Sequence, residues 1–111
     1  MEKIWLKRYP AGVPAEIDPQ HYDSLLELFE KSFQDYSQLP AFENMGKVFS
    51  YQQMDDATKR FASYLQNQLG IKKGDKVAVM MPNLLQTPIA ILGTLRAGAT
   101  VVNVNPLYTT R

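Results

Sequence analysis

The chain has 111 residues, with 12 Lys and Arg against 11 Asp and Glu, a single His and no Cys. That length holds one small domain, and the nearly balanced charge gives no reason to expect nucleic acid or acidic partners. Without Cys there are no disulfides, thiolate nucleophiles or thiolate metal sites, and with one His a zinc constellation is not expected. No apolar run reaches the length of a membrane span and the N-terminus lacks the apolar core of a signal peptide, so the expected location is the cytoplasm.

The opening residues MEKIWLKRYP set Ile4, Trp5 and Leu6 between Lys3, Lys7 and Arg8. This mix fits a strap that packs its Trp against the domain, or a peripheral contact of indole and cations with the anionic cytoplasmic face of the inner membrane. Interfacial helices are usually longer, which favours the strap. Pro10, Pro14 and Pro19 then keep the backbone extended, so residues 1–23 read as an N-terminal strap. His21, beside Tyr22 and Asp23, reads as a loop or capping residue because no nucleophile lies near it for a base to serve.

Ser24 followed by Glu27 is a capping-box pattern, and Leu25, Leu28, Phe29, Phe33 and Tyr36 continue at helical spacing. An amphipathic helix is predicted to about residue 37, stopped by Leu39 and Pro40, with its aromatic stripe in the core rather than around a ligand. The runs AFEN and KVFS flank Met45 and Gly46, which predicts a β-hairpin. Ser50 with Gln53 makes a second capping box and opens the longest helix, over about 51–69, closed by Gly70. Its predicted apolar face is Tyr51, Met54, Ala57, Phe61, Ala62, Tyr64, Leu65 and Leu69. On the far side Asp55 stands one turn before Lys59, and Asp56 one turn before Arg60. Adjacent aspartates invite an acid/base or metal reading, but carboxylates facing cations one turn on read as a solvated face. Lys72, Lys73, Gly74 and Asp75 then form a polar turn.

Residues 76–105 organise the rest as a βαβ unit. The stretches 77–81 and 100–104 are short, β-branched and apolar on both alternating faces, the pattern of parallel strands covered on both sides. The helix between them has two apolar arcs: Leu84, Leu85, Ile89, Ile91, Leu92 and Leu95 on one, Ala90, Gly93 and Ala97 on the other. The small residues are expected to lie close on the sheet. The large ones need a second layer that the rest of this chain looks too small to supply, so the unit reads as part of a larger domain. Asn83 could cap the helix, but Thr87 as cap would place Pro88 at the favourable first position. Arg96, in the last turn, reads as a solvated charge at the negative end of the helix dipole.

No G-x-G-x-x-G follows the first strand, and neither a G-x-x-x-x-G-K-[ST] loop nor a nucleophile elbow occurs. A ligand would approach at the C-terminal edge of the two strands, marked by Met81, Pro82 and Asn83 after the first and by Asn103, Asn105 and Pro106 after the second. The plainer reading is that these asparagines cap a helix and shape a turn.

The order of elements resembles the N-terminal part of the adenylate-forming (AMP-binding) enzymes. The residues carrying the likeness are Ser50, Tyr51 and Met54, then Arg60, Ala62 and Leu65, then GIKKGDKVA from Gly70 to Ala78, Pro82 and Asn83, Ala90, Gly93, Ala97, Gly98 and Pro106. Within that superfamily WLKRYP, MMPNLLQ and VVNVNPLYT look like bacterial long-chain fatty acid CoA ligases, with Thr110 standing where that group is expected to have proline. The resemblance covers essentially the whole chain. It implies the N-terminal portion of the large α/β domain, with residues 24–111 as an incomplete subdomain of capped amphipathic helix, β-hairpin, long helix and βαβ unit. It also implies a two-step ligase in the complete protein: a fatty acid carboxylate attacks the α-phosphate of Mg-ATP, giving acyl-adenylate and pyrophosphate, and the coenzyme A thiol then displaces AMP. The family's phosphate loop, Thr-Glu motif, ribose-binding aspartate and C-terminal lysine have no matching positions here. No catalytic, cofactor-binding or metal-binding residue is therefore assigned, and the segment is expected to bind no ATP, Mg2+ or CoA and to self-associate when isolated. The alternatives are a non-enzymatic interaction module and a segment of an adenylating enzyme for another carboxylic acid.

Overall fold

The computed structural model of the chain describes residues 2–109, so the departure at Thr110 lies outside the described residues. The N-terminal segment forms one 3-10 turn, Ile4–Arg8, with no buried residue. Lys3 pairs with Glu16 and Lys7 with Glu2, both pairs largely exposed to solvent. Trp5, expected to pack against the domain, stands half exposed at 49%.

Helix α1 covers Leu25–Asp35. Ser24 Oγ accepts the Glu27 N–H at 3.1 Å, and the Glu27 carboxylate accepts the Asp23 N–H at 2.7 Å, so the cap closes one residue upstream of a strict capping box. Phe29 and Phe33 are buried, whereas Leu25 and Tyr36 at the ends of the predicted stripe are exposed. The helix stops two residues before the expected end, and Pro40 opens a strand instead of merely ending a helix. At a strand's first position its missing N–H breaks no ladder bond. Strands β1 (Pro40–Asn44) and β2 (Lys47–Ser50) pair antiparallel, Phe42 opposite Phe49 and Asn44 opposite Lys47. Met45 and Gly46 both take left-handed backbone angles, φ 50° and 78°, as a two-residue hairpin turn of the primed kind requires.

Helix α2 (Tyr51–Asn67) starts with both halves of its capping box made, Ser50 Oγ to the Gln53 N–H at 3.2 Å and Gln53 Oε1 to the Ser50 N–H at 2.9 Å. At its other end Gly70, at φ 66°, turns the chain so that the Ile71 N–H reaches the Leu65 carbonyl at 3.0 Å. Met54, Thr58, Ala62 and Leu65 are buried on one face. Thr58 was missing from the predicted face, and Tyr64 and Leu69, included in it, are exposed.

The polar turn delivers the chain into the parallel pair β3 (Lys76–Val79) and β4 (Thr100–Asn103). Asp75 closes it: its carboxylate accepts the Lys72 N–H at 2.8 Å and its carbonyl accepts the Thr100 N–H at 2.7 Å. The register sets Val77 beside Val101 and Ala78 beside Val102. Val79 is buried and Val77 and Val101 half-buried, while Ala78 and Val102 on the opposite face are exposed. Covering of both faces was expected; one face is covered.

Between the strands runs α3, Gln86–Arg96, and here the sequence reading needs two corrections. Gly93 and Ala97 of the small-residue arc pack on α2, not on the sheet: a Cβ on Gly93 would stand 2.8 Å from Phe61 Cδ1 and 3.0 Å from the Thr58 carbonyl oxygen, and Ala97 clusters with Ala62 and Leu65. The second layer does exist within the chain, because Ile89, Leu92 and Leu95 pack against the cluster of Phe29, Phe33 and Met54 contributed by α1 and α2. Of the six large residues, only Leu84 is exposed. The core therefore lies among the three helices, with the sheet on the far side of α3.

Thr94 is fully buried on α3, and its hydroxyl has no hydrogen-bond partner among the described residues. Exchanging that hydroxyl for a methyl of similar shape removes the desolvation cost, so Thr94→Val is expected to stabilise by about 1 kcal/mol. A lower midpoint in urea unfolding would contradict the packing described for this position.

Candidate functional site

The two parallel strands end side by side, and the Val104 N–H donates to the Val79 carbonyl at 3.0 Å one residue past the ladder. Beyond that point the chains diverge. Met81, Pro82 and Asn83 form one wall of an open cleft of about 700 Å³ and Asn103, Asn105 and Pro106 the other, with Thr87 and Ile91 of α3 also lining it. All six residues marked by the sequence at the strand ends thus meet around one space.

Thr87 shapes the near wall. Its Oγ1 accepts the Leu84 N–H at 3.3 Å and donates to the Pro82 carbonyl at 2.5 Å, which pins the loop before α3 to that helix's first turn. Thr87 is not the cap, however. The helix begins at Gln86 after Leu85, which makes no side-chain cap, and Pro88 is the third helical residue. A proline is tolerated there because the first four helical N–H groups have no intrahelical acceptor. Asn83 does not cap the helix either; its carbonyl accepts from Asn44 Nδ2 at 3.3 Å, tying the hairpin to the wall. Asn105 does shape a turn, its Oδ1 accepting the Leu107 N–H at 2.9 Å. A smaller cavity of about 360 Å³ lies between the hairpin and the start of α3, lined by Phe42, Leu84, Leu85 and Pro88 among others.

Among the described residues, the larger cleft is lined by apolar and uncharged polar side chains, with no Lys, Arg, Asp or Glu. Such a lining does not fit a magnesium triphosphate, which demands cations or backbone nests and oxygen-ligand carboxylates. No group of three Asp, Glu, His or Cys capable of holding a metal occurs among the described residues.

Arg96 is the residue that the sequence reading placed wrongly. Its side chain is only 10% exposed, held by Glu30 of α1 at 2.5 Å and Asp55 of α2 at 2.8 Å, with the guanidinium 5.8 Å from the centre of the Phe29 ring. Asp55 keeps the expected partner Lys59 at 2.6 Å and adds Arg96, so this carboxylate faces the helix interface. Asp56 stays exposed, and Arg60 donates through Nε to its backbone carbonyl at 3.3 Å instead of pairing with its carboxylate. A hint was available in the sequence: Arg96 stands between Leu95 and Ala97 on a helix apolar on two sides, where a cation has little open surface to reach. His21 stands exposed beside Tyr22, their ring centres 4.4 Å apart, and is not among the cleft residues.

The residue pattern of the AMP-binding enzyme family matches residues 29–111. The chain belongs to the AMP-binding enzyme family. It is 61% identical over 111 residues to a long-chain-fatty-acid–CoA ligase of Yersinia pestis, covering all of this chain and 20% of the relative. The corresponding ligase of Escherichia coli O157:H7 is 58% identical over the same span and that of Bacillus subtilis 37% over 108 residues. The chain thus spans about one fifth of the length of the curated relatives it matches. Among solved structures, the N-terminal subdomain of Klebsiella oxytoca NpsA superposes with a TM-score of 0.75 at 23% identity, over 79% of this chain and 23% of that one. A benzoate CoA ligase from Burkholderia xenovorans LB400 superposes at 0.71 with 25% identity, over 76% of this chain and 17% of that one. The expected fold, the N-terminal portion of the large domain of this AMP-binding family, is borne out by these superpositions.

Proposed function

We propose that this chain is the N-terminal scaffold of an ATP-dependent ligase that joins a long-chain fatty acid to coenzyme A through an acyl-adenylate. Pyrophosphate leaves in the first step and AMP in the second. The observation that carries this reading is 58–61% identity along all 111 residues to ligases of that description. In this reading α1, α2 and α3 hold β3 and β4, and the strand ends carry the loops that wall the cleft. The uncharged lining among the described residues supports a scaffold role, since Mg2+ and a triphosphate need charged groups that these residues do not offer. A ligase for another carboxylic acid, or a module without enzymatic activity, are the competing readings.

The test is a graft. Residues 1–111 replace the matching segment of the Escherichia coli ligase, and oleoyl-CoA formation is followed with ATP, oleate and coenzyme A. A kcat/KM within about tenfold of the parent is expected, since a scaffold exchange that keeps the fold costs little transition-state stabilisation. A graft that melts cooperatively yet makes no acyl-CoA would contradict the proposal, and activity restricted to short or aromatic acids would favour another adenylating enzyme.

A further inference from the structure

The sheet of β3 and β4 is finished on one face only. On the other, Val102 is 39% exposed, Met80, beyond the end of β3, is 57% exposed, and Ala78 is open between them. Each strand is paired on one side among the described residues, so each also leaves an outer edge of backbone N–H and C=O groups.

Two kinds of occupant are called for at once. An apolar layer must cover the face, because parallel sheets occur almost only with both faces buried. Extended polypeptide must run along the edges, because backbone groups shut away from water require hydrogen-bond partners. A lipid surface could meet the first need and not the second. The relatives indicate what meets both: the matched region is 23% of the NpsA N-terminal subdomain and 20% of the Yersinia pestis ligase, so in each of those proteins most of the polypeptide lies beyond the segment that corresponds to this chain.

We propose that the open face and edges of β3 and β4 are a docking surface able to take the remaining four-fifths of an AMP-binding ligase without a covalent link. A chain of these residues and a separately made remainder then assemble in trans into an active enzyme. This rests on the reading given under Proposed function. Cutting the connection lowers the effective concentration of one part around the other and leaves the contacts themselves unchanged, so co-expression at high level compensates.

The experiment co-expresses tagged residues 1–111 with the Escherichia coli ligase lacking its matching segment, beside the covalent graft described above. The expected result is recovery of the two chains in equimolar amounts with ATP-dependent oleoyl-CoA formation. Val102→Asp, exposed in the chain alone and therefore compatible with its fold by circular dichroism, is expected to reduce recovery by at least about tenfold, since docking buries an unpaired charge. An active graft with no recovery in trans overturns the inference and leaves the functional reading standing. Undiminished assembly of Val102→Asp, or a homodimer of the chain that excludes the remainder, also overturns it. A folded but inactive graft overturns the functional reading and this inference together.

Discussion

Gly93→Leu is expected to destabilise the chain by about 3 kcal/mol or more, and Gly93→Ala by about 1 to 2 kcal/mol. The ordering matters because propensity argues the other way: in an exposed helix interior, alanine in place of glycine gains about 1 kcal/mol. At Gly93 the added Cβ meets Phe61 Cδ1 at 2.8 Å, which a ring rotation can relieve. It also meets the Thr58 carbonyl oxygen at 3.0 Å, and that atom belongs to the backbone of α2 and moves only if the whole helix moves. The two helices touch where both are smallest or tightest, Gly93 on one and the fully buried Thr58 on the other. A leucine there must push α2 away from α3 and open the cluster of Met54, Phe29 and Phe33 behind it. Urea unfolding of the three proteins measures this through the midpoint at constant slope. A more stable Gly93→Ala would mean that α2 and α3 lie farther apart than described.

The second large effect falls on Arg96. Removing one partner of a buried ion pair costs about 3 to 5 kcal/mol, because the remaining charge is left without compensation. That range needs a discount here: the Glu30 side chain is 42% exposed, so water replaces much of what Arg96 gives it, and Asp55, at 20%, keeps Lys59. Arg96→Ala is accordingly expected to cost about 2 to 4 kcal/mol, part of it from the guanidinium and stem lost over Phe29. Arg96→Met should cost less, since it keeps the apolar stem and removes the buried Nε, which has no hydrogen-bond partner among the described residues. Double-mutant cycles apportion the rest: the coupling of Arg96 with Asp55 should exceed that with Glu30, following the difference in exposure. Equal costs for Arg96→Ala and for an exposed change such as Lys59→Ala would contradict the arrangement.

Much of this structure was legible from local chemistry. Caps at Ser24 and Ser50, the left-handed pair Met45 and Gly46, and the turn closed by Asp75 each depend on residues within a few positions of one another, and each formed where the sequence placed it. The corrections all concern contacts between elements. Periodicity gave α3 two apolar arcs without saying which neighbour each would meet, so the Gly93 arc was assigned to the sheet and found on α2. Arg96 and Glu30 are 66 positions apart, and no sequence spacing relates them. Exposure of Ala78 and Val102 shows the opposite case, since their apolar character matches a sheet face that nothing among the described residues covers. At the cleft, the strand ends were found from topology alone, whereas the work of Thr87 on the Pro82 carbonyl follows from the helix starting at Gln86, a boundary that the asparagine and threonine signals did not fix.

Pyrophosphate release from ATP and oleate, measured on the bare chain and on the covalent graft in the same assay, tests the scaffold reading most directly. Turnover is expected from the graft and none from residues 1–111 alone, because the described residues lining the cleft carry no charged side chain to hold a triphosphate. Turnover by the bare chain that follows the protein through purification would contradict it, as would a folded graft that releases no pyrophosphate.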